Sequence, residues 1–313
     1  VINWPKKKTA KERIGVELRD DGVAIAHRQS LDFGNLLKHV DFLPGDINSS
    51  NEKLLSDFVK RFSLQGRPCN VVMSQGQYQL LLIDAPDVPE EEMRSALRWK
   101  IKDLISTPLD EAAIEFFRLP DDGAHSRKKM VYVVIADLER LRSIINLFKK
   151  VDLRLDSIDI NELVMRNLAS NLIDPQFDGR GVAIARLRKN RGSVSLFRKG
   201  ALYLSRQFDL DYQAGAPDTL PEQILALELQ RSLDYYERQM GQAAPGVVYV
   251  CGDGVTEEKI TDNLRASLAP SIQYMDVNAI LRGADNIDGL ILQQCLGAIG
   301  GSLRVDQGSH AAG

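Results

Sequence analysis

Residues 83–119 read IDAPDVPEEEMRSALRWKIKDLISTPLDEAAIEFFRL, a stretch holding a helix, its punctuation and the strand after it. Asp87 is placed to cap the helix by accepting from orphan N–H groups, and Pro89 suits the first turn. Glu90, Glu91 and Glu92 then put negative charge at the positive end of the macrodipole. Met93, Leu97, Ile101 and Leu104 fall on one apolar stripe, so the helix is amphipathic. Thr107-Pro108 stops it, because the residue before a proline is pushed out of the α region, and Ile114–Leu119 reads as a strand. Trp99 lies among core-spaced neighbours on this helix, so a packing role is expected for it, as for Tyr236 on a later helix.

Upstream, Arg13 to His27 reads strand, Asp20-Asp21-Gly22 turn, strand, the pattern of a hairpin. Leu54–Phe62 is helical in spacing, while Asn70–Met73 and Gln79–Ile83 are apolar strands. Downstream, Asp121–Arg127 is a polar loop, Met130–Ala136 a strand, Leu138 to Phe148 a helix, and Leu153, Leu155 and Ile158 alternate as a strand. Residues of about 87–152 therefore read as an inserted subdomain.

Turn formers cluster at 174–179, and a new sheet pattern follows in Val182–Leu187, Val194–Phe197 and Ala201–Phe208. Glu222–Met240 is a long helix with Leu225, Leu229, Leu233 and Tyr236 on one face and Gly241 just past its end. Val247–Cys251 is a strand running into Gly252-Asp253-Gly254, with a helix expected through Leu268. A hairpin-led α/β pattern thus occurs twice, and two similar lobes explain it. The expected division is a basic tail at 1–12, lobe I at 13–178 with its insert, lobe II at 179–304, and a tail at 305–313.

At 313 residues the chain exceeds the usual single core, which agrees with two lobes. Hydrophobic residues at 44% and charged residues at 27% exclude a disordered chain, and a net charge of −3 gives no reason to expect nucleic acid. Cys69, Cys251 and Cys295 lack paired spacing, and His27, His39, His125 and His310 fall in no ligand motif, so no disulfide framework or metal centre is expected. No apolar run is long enough to cross a bilayer; the most apolar one, Leu290–Ile299, is broken by Gln293-Gln294. The start VINWPKKKTAKER is too charged for a secretory signal, leaving the cytoplasm as the expected compartment. Lys6, Lys7, Lys8, Lys11 and Arg13 read as a solvated basic tail or as a contact for anionic lipid heads.

The acidic helix start, Leu97-Arg98-Trp99 in mid-helix and Thr107-Pro108-Leu109-Asp110-Glu111 before a strand resemble the PilM family of type IV pilus assembly proteins. The resemblance continues through Ile158-Asp159-Ile160-Asn161-Glu162 and Glu228-Leu229-Gln230-Arg231-Ser232-Leu233-Asp234-Tyr235-Tyr236, covering most of residues 13–304. Within that family the likeness is to proteins of mannose-sensitive haemagglutinin pilus biogenesis. It implies an α/β, actin-like (ribonuclease-H-like) two-lobed fold with an inserted α+β subdomain and ATP with Mg²⁺ in the cleft between lobes. It also implies a cytoplasmic protein peripheral to the inner membrane. Its partners would be the cytoplasmic tail of a single-pass pilus assembly protein and the motor and platform components.

In that family the hairpin turns approach the phosphates, with an aspartate nearby and small residues that admit backbone N–H groups. Here the first turn, Ile14-Gly15-Val16-Glu17-Leu18-Arg19-Asp20-Asp21-Gly22, has Glu17 in the aspartate position and Arg19 in the glycine position. Arg19 hinders close backbone approach, although a guanidinium is able to meet a phosphate. In the second turn Arg186 replaces the acid, and Arg186, Arg188, Lys189 and Arg191 read as a phosphate cradle or a solvated basic hairpin; strand alternation prevents all four from converging. The third element keeps its glycines in Gly252-Asp253-Gly254.

Glu17, Arg19, Arg186, Arg188, Gly252, Asp253 and Gly254 are therefore the candidate nucleotide contacts. There is no Walker A motif, nucleophile elbow or kinase catalytic loop, and Asp84, Asp159, Glu162 and Asp253 each have an ordinary turn or capping role. No catalytic residue or metal ligand is assigned. The degenerate turns argue against efficient ATP hydrolysis and favour a scaffold; the alternative is an ATP-binding switch or weak ATPase in the same machinery.

Overall fold

The computed structural model describes residues 11–45, 51–120, 129–172, 179–213 and 219–305. Lobe I begins with β1 (Glu12–Arg19), β2 (Gly22–Leu31), β3 (Gly34–Pro44), α1 (Asn51–Arg61) and β4 (Pro68–Met73). The insert follows as β5 (Tyr78–Asp84), α2 (Glu90–Ile101), β6 (Ala112–Arg118) and β7 (Met130–Asp137). The chain returns to lobe I with α3 (Leu138–Lys150) and β8 (Arg154–Ile160), then crosses over through α4 (Asn161–Leu172). Lobe II comprises β9 (Val182–Arg188), β10 (Arg191–Arg198), β11 (Ala201–Asp209), α5 (Glu222–Arg238), β12 (Val247–Gly252), α6 (Asp262–Ala266) and β13 (Ser271–Tyr274). Two short helices, α7 (Gly289–Gln294) and α8 (Leu296–Ser302), finish the described chain.

The two large sheets have one plan: β3-β2-β1-β4-β8 and β11-β10-β9-β12-β13. In each, the hairpin strands pair antiparallel and the next two pair parallel. The parallel strands β4 and β12 are buried at every position, as strands covered on both faces must be. In lobe I, Leu55, Phe58 and Val59 of α1 and Phe148 of α3 pack on Val16, Ile25 and Val71. In lobe II, Leu225, Leu229, Leu233 and Tyr236 of α5 pack on Val194, Leu204 and Val250. Between the lobes, Val164, Met165 and Leu168 of α4 and Ala298 and Ile299 of α8 share one core with Ala24 and Val72 of lobe I and Ile184 and Val247 of lobe II. The small residues of α8 let its backbone approach the strands: a Cβ at Gly297 would lie 2.3 Å from a Glu17 carboxylate oxygen.

The expected hairpins, lobes and inserted α+β unit are present, with differences that have physical reasons. The insert was expected at about 87–152, but strand pairing places β5 in the three-stranded antiparallel sheet β5-β7-β6, and α3 packs on lobe I. Apolar alternation in β5 and the spacing of α3 carry no information about which sheet each joins. Similarly α8 falls inside the expected lobe II range but packs against β1, β2 and β4 of lobe I. Strand β3 was not expected, since its mixed sequence GNLLKHVDFLP obscures alternation and its pairing with β2 contains a bulge near His27 and Arg28. The helix expected through Leu268 is reduced to α6.

Helix α2 buries Met93, Leu97 and Ile101 against Ile114, Val131, Val133 and Ile135, each worth about 1.5–3 kcal/mol relative to exposure. Its cap is not Asp87: Pro89 holds the N-cap position with no side-chain capping bond, so the acidic first turn stands alone. Trp99 is 75% exposed and Leu104, beyond the helix end, is also exposed, which overturns the packing role expected for Trp99; Tyr236 is buried as expected. The three cysteines are buried and unpaired. No helix among the described residues is long and apolar enough to cross a membrane. The polar loop at 121–127, the turn formers at 174–178, His125 and His310 lie outside the described residues, as do 1–10 and 306–313 of the expected tails.

Candidate functional site

The ends of β1, β9 and β12 meet where the lobes face each other, and this brings the predicted residues together. Arg19 is buried between lobes. Its Nε and Nη2 donate to the two Asp21 oxygens at 2.8 Å each, and its Nη1 and Nη2 donate to the Asp253 oxygens at 2.9 and 2.6 Å. A further Nη1 bond goes to the Gln294 carbonyl at 2.8 Å. A guanidinium has five N–H donors, and all of them are used. The Phe42 ring lies under the guanidinium carbon at 4.6 Å, an arrangement that suits a buried cation.

Glu17 is fully buried on β1 and accepts from Arg186 Nη2 at 2.9 Å and Arg188 Nη1 at 3.4 Å. Burial pushes its carboxyl up, but the charges of Arg186, Arg188 and Arg19 outweigh this and hold it at about 2. Arg186 also bonds Asn161 at the start of α4; burial works against its charge, and Glu17 reverses that effect so its pKa rises. Its Nε is buried with no hydrogen-bond partner among the described residues. Arg188 donates to Ser74 Oγ at 3.3 Å and lies 3.8 Å from Asp21 and 3.9 Å from Asp253. The second turn is therefore not a solvated basic hairpin at Arg186 and Arg188. Lys189, at the turn, and Arg191, at the start of β10, are exposed, although Arg191 still donates to the Gln75 carbonyl at 3.3 Å.

The third turn is spent on the fold. Gly252 has φ +120°, and a Cβ there would lie 2.0 Å from the Leu187 carbonyl oxygen, so the glycine serves the approach of β12 to β9. Its N–H donates to Gln293 Oε1 at 2.8 Å, the Asp253 N–H to Leu187 O at 2.9 Å and the Val255 N–H to Gly252 O at 3.1 Å. Gly254, also left-handed at φ +70°, offers its carbonyl to Lys259 Nζ at 3.0 Å.

Three guanidinium groups and three carboxylates thus neutralise one another between the lobes. Asp21, Asn161, Ser74 and Gln293 complete the network and were missed as site residues; the Asp20-Asp21-Gly22 turn beside Arg19 was the available signal for Asp21. Among the other candidate acids, Asp159 pairs with Arg304 at 2.5 Å. Glu162 accepts from Tyr78 at 2.5 Å and Ser205 at 3.3 Å, and burial raises its pKa. Asp84 ends β5 in the insert. The residues present do not fit Mg-nucleotide: the aspartate-position acid is buried in an ion pair, Arg19 has no donor to spare, and the turn N–H groups at 252, 253 and 255 are taken. No group of metal-ligating residues occurs among the described residues.

No family model matches the sequence, and no curated protein matches it. Among solved structures, a chain of a PilM–PilN type IV pilus biogenesis complex is similar at 18% identity and a TM-score of 0.70, covering 93% of this chain and 98% of that one. A Bacteroides thetaiotaomicron protein of unknown function with an actin-like ATPase fold is similar at 12% identity and a TM-score of 0.51, covering 86% and 95%. The chain has an actin-like fold. The β1, β9 and β12 turns to which the sequence pointed carry side chains that close on one another between the lobes.

Proposed function

We propose that this actin-like protein is a cytoplasmic scaffold in the inner-membrane assembly platform of a type IV pilus. We assign it to the PilM family, in the branch serving mannose-sensitive haemagglutinin pili. It holds its lobes together by ion pairs in place of nucleotide, and it binds the cytoplasmic tail of a single-pass membrane partner beside pilus motor and platform components. The observation that carries the scaffold reading is the saturation of Arg19 by Asp21, Asp253 and Gln294. The pilus assignment is supported by the three sequence segments and by the near full-length likeness to a chain of a complex named PilM–PilN.

A place for the tail lies beside the insert, in an open cavity of about 970 Å³ between the β4–β5 loop and the start of α3. Leu18, Ile144 and Leu147 supply apolar surface, while Asp20, Glu52, Asp137 and Glu139 outnumber Arg140 and Arg191 along its walls. Cytoplasmic segments next to a membrane span are enriched in Lys and Arg, which suits that charge balance. Gln75 lines the cavity, and its buried Nε2 has no hydrogen-bond partner among the described residues, a donor suited to a peptide carbonyl.

Isothermal titration of the full chain with cytoplasmic-tail peptides of pilus membrane proteins, and separately with Mg-ATP, tests the reading. Heat is expected from a tail peptide, weakened by Glu139→Lys, with none from Mg-ATP. Tight magnesium-dependent nucleotide binding with no response to any tail peptide would refute it.

A further inference from the structure

The insert belongs to lobe I in chain order, yet two buried tyrosines fasten it across to lobe II and to the crossover helix. Tyr132 of β7 donates its hydroxyl to the Tyr203 carbonyl at 3.3 Å and accepts from the Ser205 N–H at 3.1 Å. Both partners lie on β11, the edge strand of its sheet, whose outer side meets no further strand among the described residues. The phenol thus satisfies two backbone groups that an edge leaves open. Its ring stacks on Phe117 of β6 at 5.2 Å and belongs to the core that holds Ile184, Phe197 and Leu202 of lobe II.

Tyr78 of β5 repeats the arrangement at the start of α4. Its hydroxyl donates to Glu162 Oε2 at 2.5 Å and accepts from the Asn161 N–H at 3.2 Å. Ser205 ties the two points together, because its N–H goes to Tyr132 and its hydroxyl donates to Glu162 Oε1 at 3.3 Å. Burial raises the pKa of both phenols, so each keeps the proton that it donates. The loop leading into β5 is held from lobe II as well, Ser74 by Arg188 and the Gln75 carbonyl by Arg191, each at 3.3 Å. The insert has a separate core under α2, around Met93, Leu97 and Ile101, so it is able to leave lobe II without unfolding.

We infer that the insert is a strap across the lobes: fastened to β11 by Tyr132 and to the start of α4 by Tyr78, it leaves lobe II as one body, and its release opens the cavity beside it. Gln75 and Arg191 both line that cavity and are bonded to each other, so the cavity keeps its shape only while the strap is fastened. Asn161 also accepts from Arg186, which sets the end of the strap beside the ionic cluster. The inference does not depend on the pilus assignment or on what occupies the cavity.

The test uses Tyr78→Phe, Tyr132→Phe and the double variant of the full chain, each checked for folding by circular dichroism. Hydrogen exchange read by mass spectrometry follows the Ser205 and Asn161 amides. Each single variant is expected to speed exchange at both amides by about fivefold or more, since a buried group left without its partner is costly and the two fastenings open together. Spin labels at Glu91→Cys on α2 and Glu237→Cys on α5 read the same event as a distance, because the native cysteines are buried. The double variant is expected to add a longer distance that the parent lacks. Faster exchange only at the amide beside the substituted tyrosine would overturn the inference, as would an unchanged label distance in the folded double variant.

Discussion

The two large sheets repeat a backbone without repeating its charges. Arg19 faces Gly22 across the first turn as Arg188 faces Arg191 across the second, which makes Glu17 of lobe I the counterpart of Arg186 of lobe II. The parallel pairs Leu18–Met73 and Leu187–Gly252 align in the same way, so Ser74 is the counterpart of Asp253. Across the cleft these counterparts bond: Glu17 with Arg186, Arg19 with Asp253, and Arg188 with Ser74. Equal topology therefore leaves the closure of the lobes undetermined, and complementary side chains at matched positions supply it. The match is lopsided, since the Arg19 bonds to Asp253 are 2.6–2.9 Å whereas the bonds and pairs of Arg188 run from 3.3 to 3.9 Å.

The largest effect should come from breaking the counterpart pair. Arg186→Met leaves Glu17 buried without its principal partner and should cost roughly 3–5 kcal/mol of stability in urea denaturation. The double variant Glu17→Leu with Arg186→Met removes both charges and should recover much of that loss, because an apolar pair of similar volume needs no desolvation of ions. Additive losses would mean that the two groups act separately, and the comparison between lobes would lose its central element.

Acid sharpens the same point. Glu17 has a carboxyl at about 2 in the folded protein against 4.5 when unfolded. As pH falls below 4.5 the unfolded chain takes up the proton first, so the stability contributed by Glu17 is complete above 4.5 and is lost as pH falls from there through about 2. Glu17→Gln should flatten the dependence of unfolding free energy on pH in this window, leaving the part due to other carboxylates such as Asp21, which Arg19 also holds down against its partial burial. An unchanged slope would show that Glu17 does not carry its charge against Arg186.

Much of this was legible in the sequence, and the gaps have definite causes. The hairpin turn at Asp20-Asp21-Gly22, the stripe Met93-Leu97-Ile101 and the doubled lobe pattern follow from local periodicity and turn chemistry, which act within a few residues. Arg19 and Arg186 were named because they stand where the resembled family has small or acidic residues, and Gly252-Asp253-Gly254 because its glycines are retained. Their partners were not found as a network, since Arg19 and Asp253 are 234 positions apart and only the fold places them together. Trp99 failed for the opposite reason. Helical spacing puts it near a buried stripe, yet only Met93, Leu97 and Ile101 face the β6–β7 surface, and the ring is left in solvent with Lys102 at 5.9 Å. A hydrophobic side chain one step off the stripe looks the same in sequence whether it packs or not.

The finest separation the comparison allows is between the two counterpart arginines. Arg19→Met removes a guanidinium whose five donors are all used and leaves buried Asp253 without its bidentate partner, so a loss of about 2–3 kcal/mol is expected. Arg188→Met should cost less, about 1 kcal/mol, because its contacts are long and its own charge lies near those of Arg19 and Arg186. Burial depresses the pKa of Arg188 first, Glu17 opposes this, and Arg19 and Arg186 depress it further, so deleting it relieves repulsion while it removes long bonds to Glu17 and Ser74. Urea denaturation of the two variants side by side decides the matter. Equal losses would make the cleft a symmetric clamp, in which the matched backbone and not the lopsided side chains sets the strength of closure.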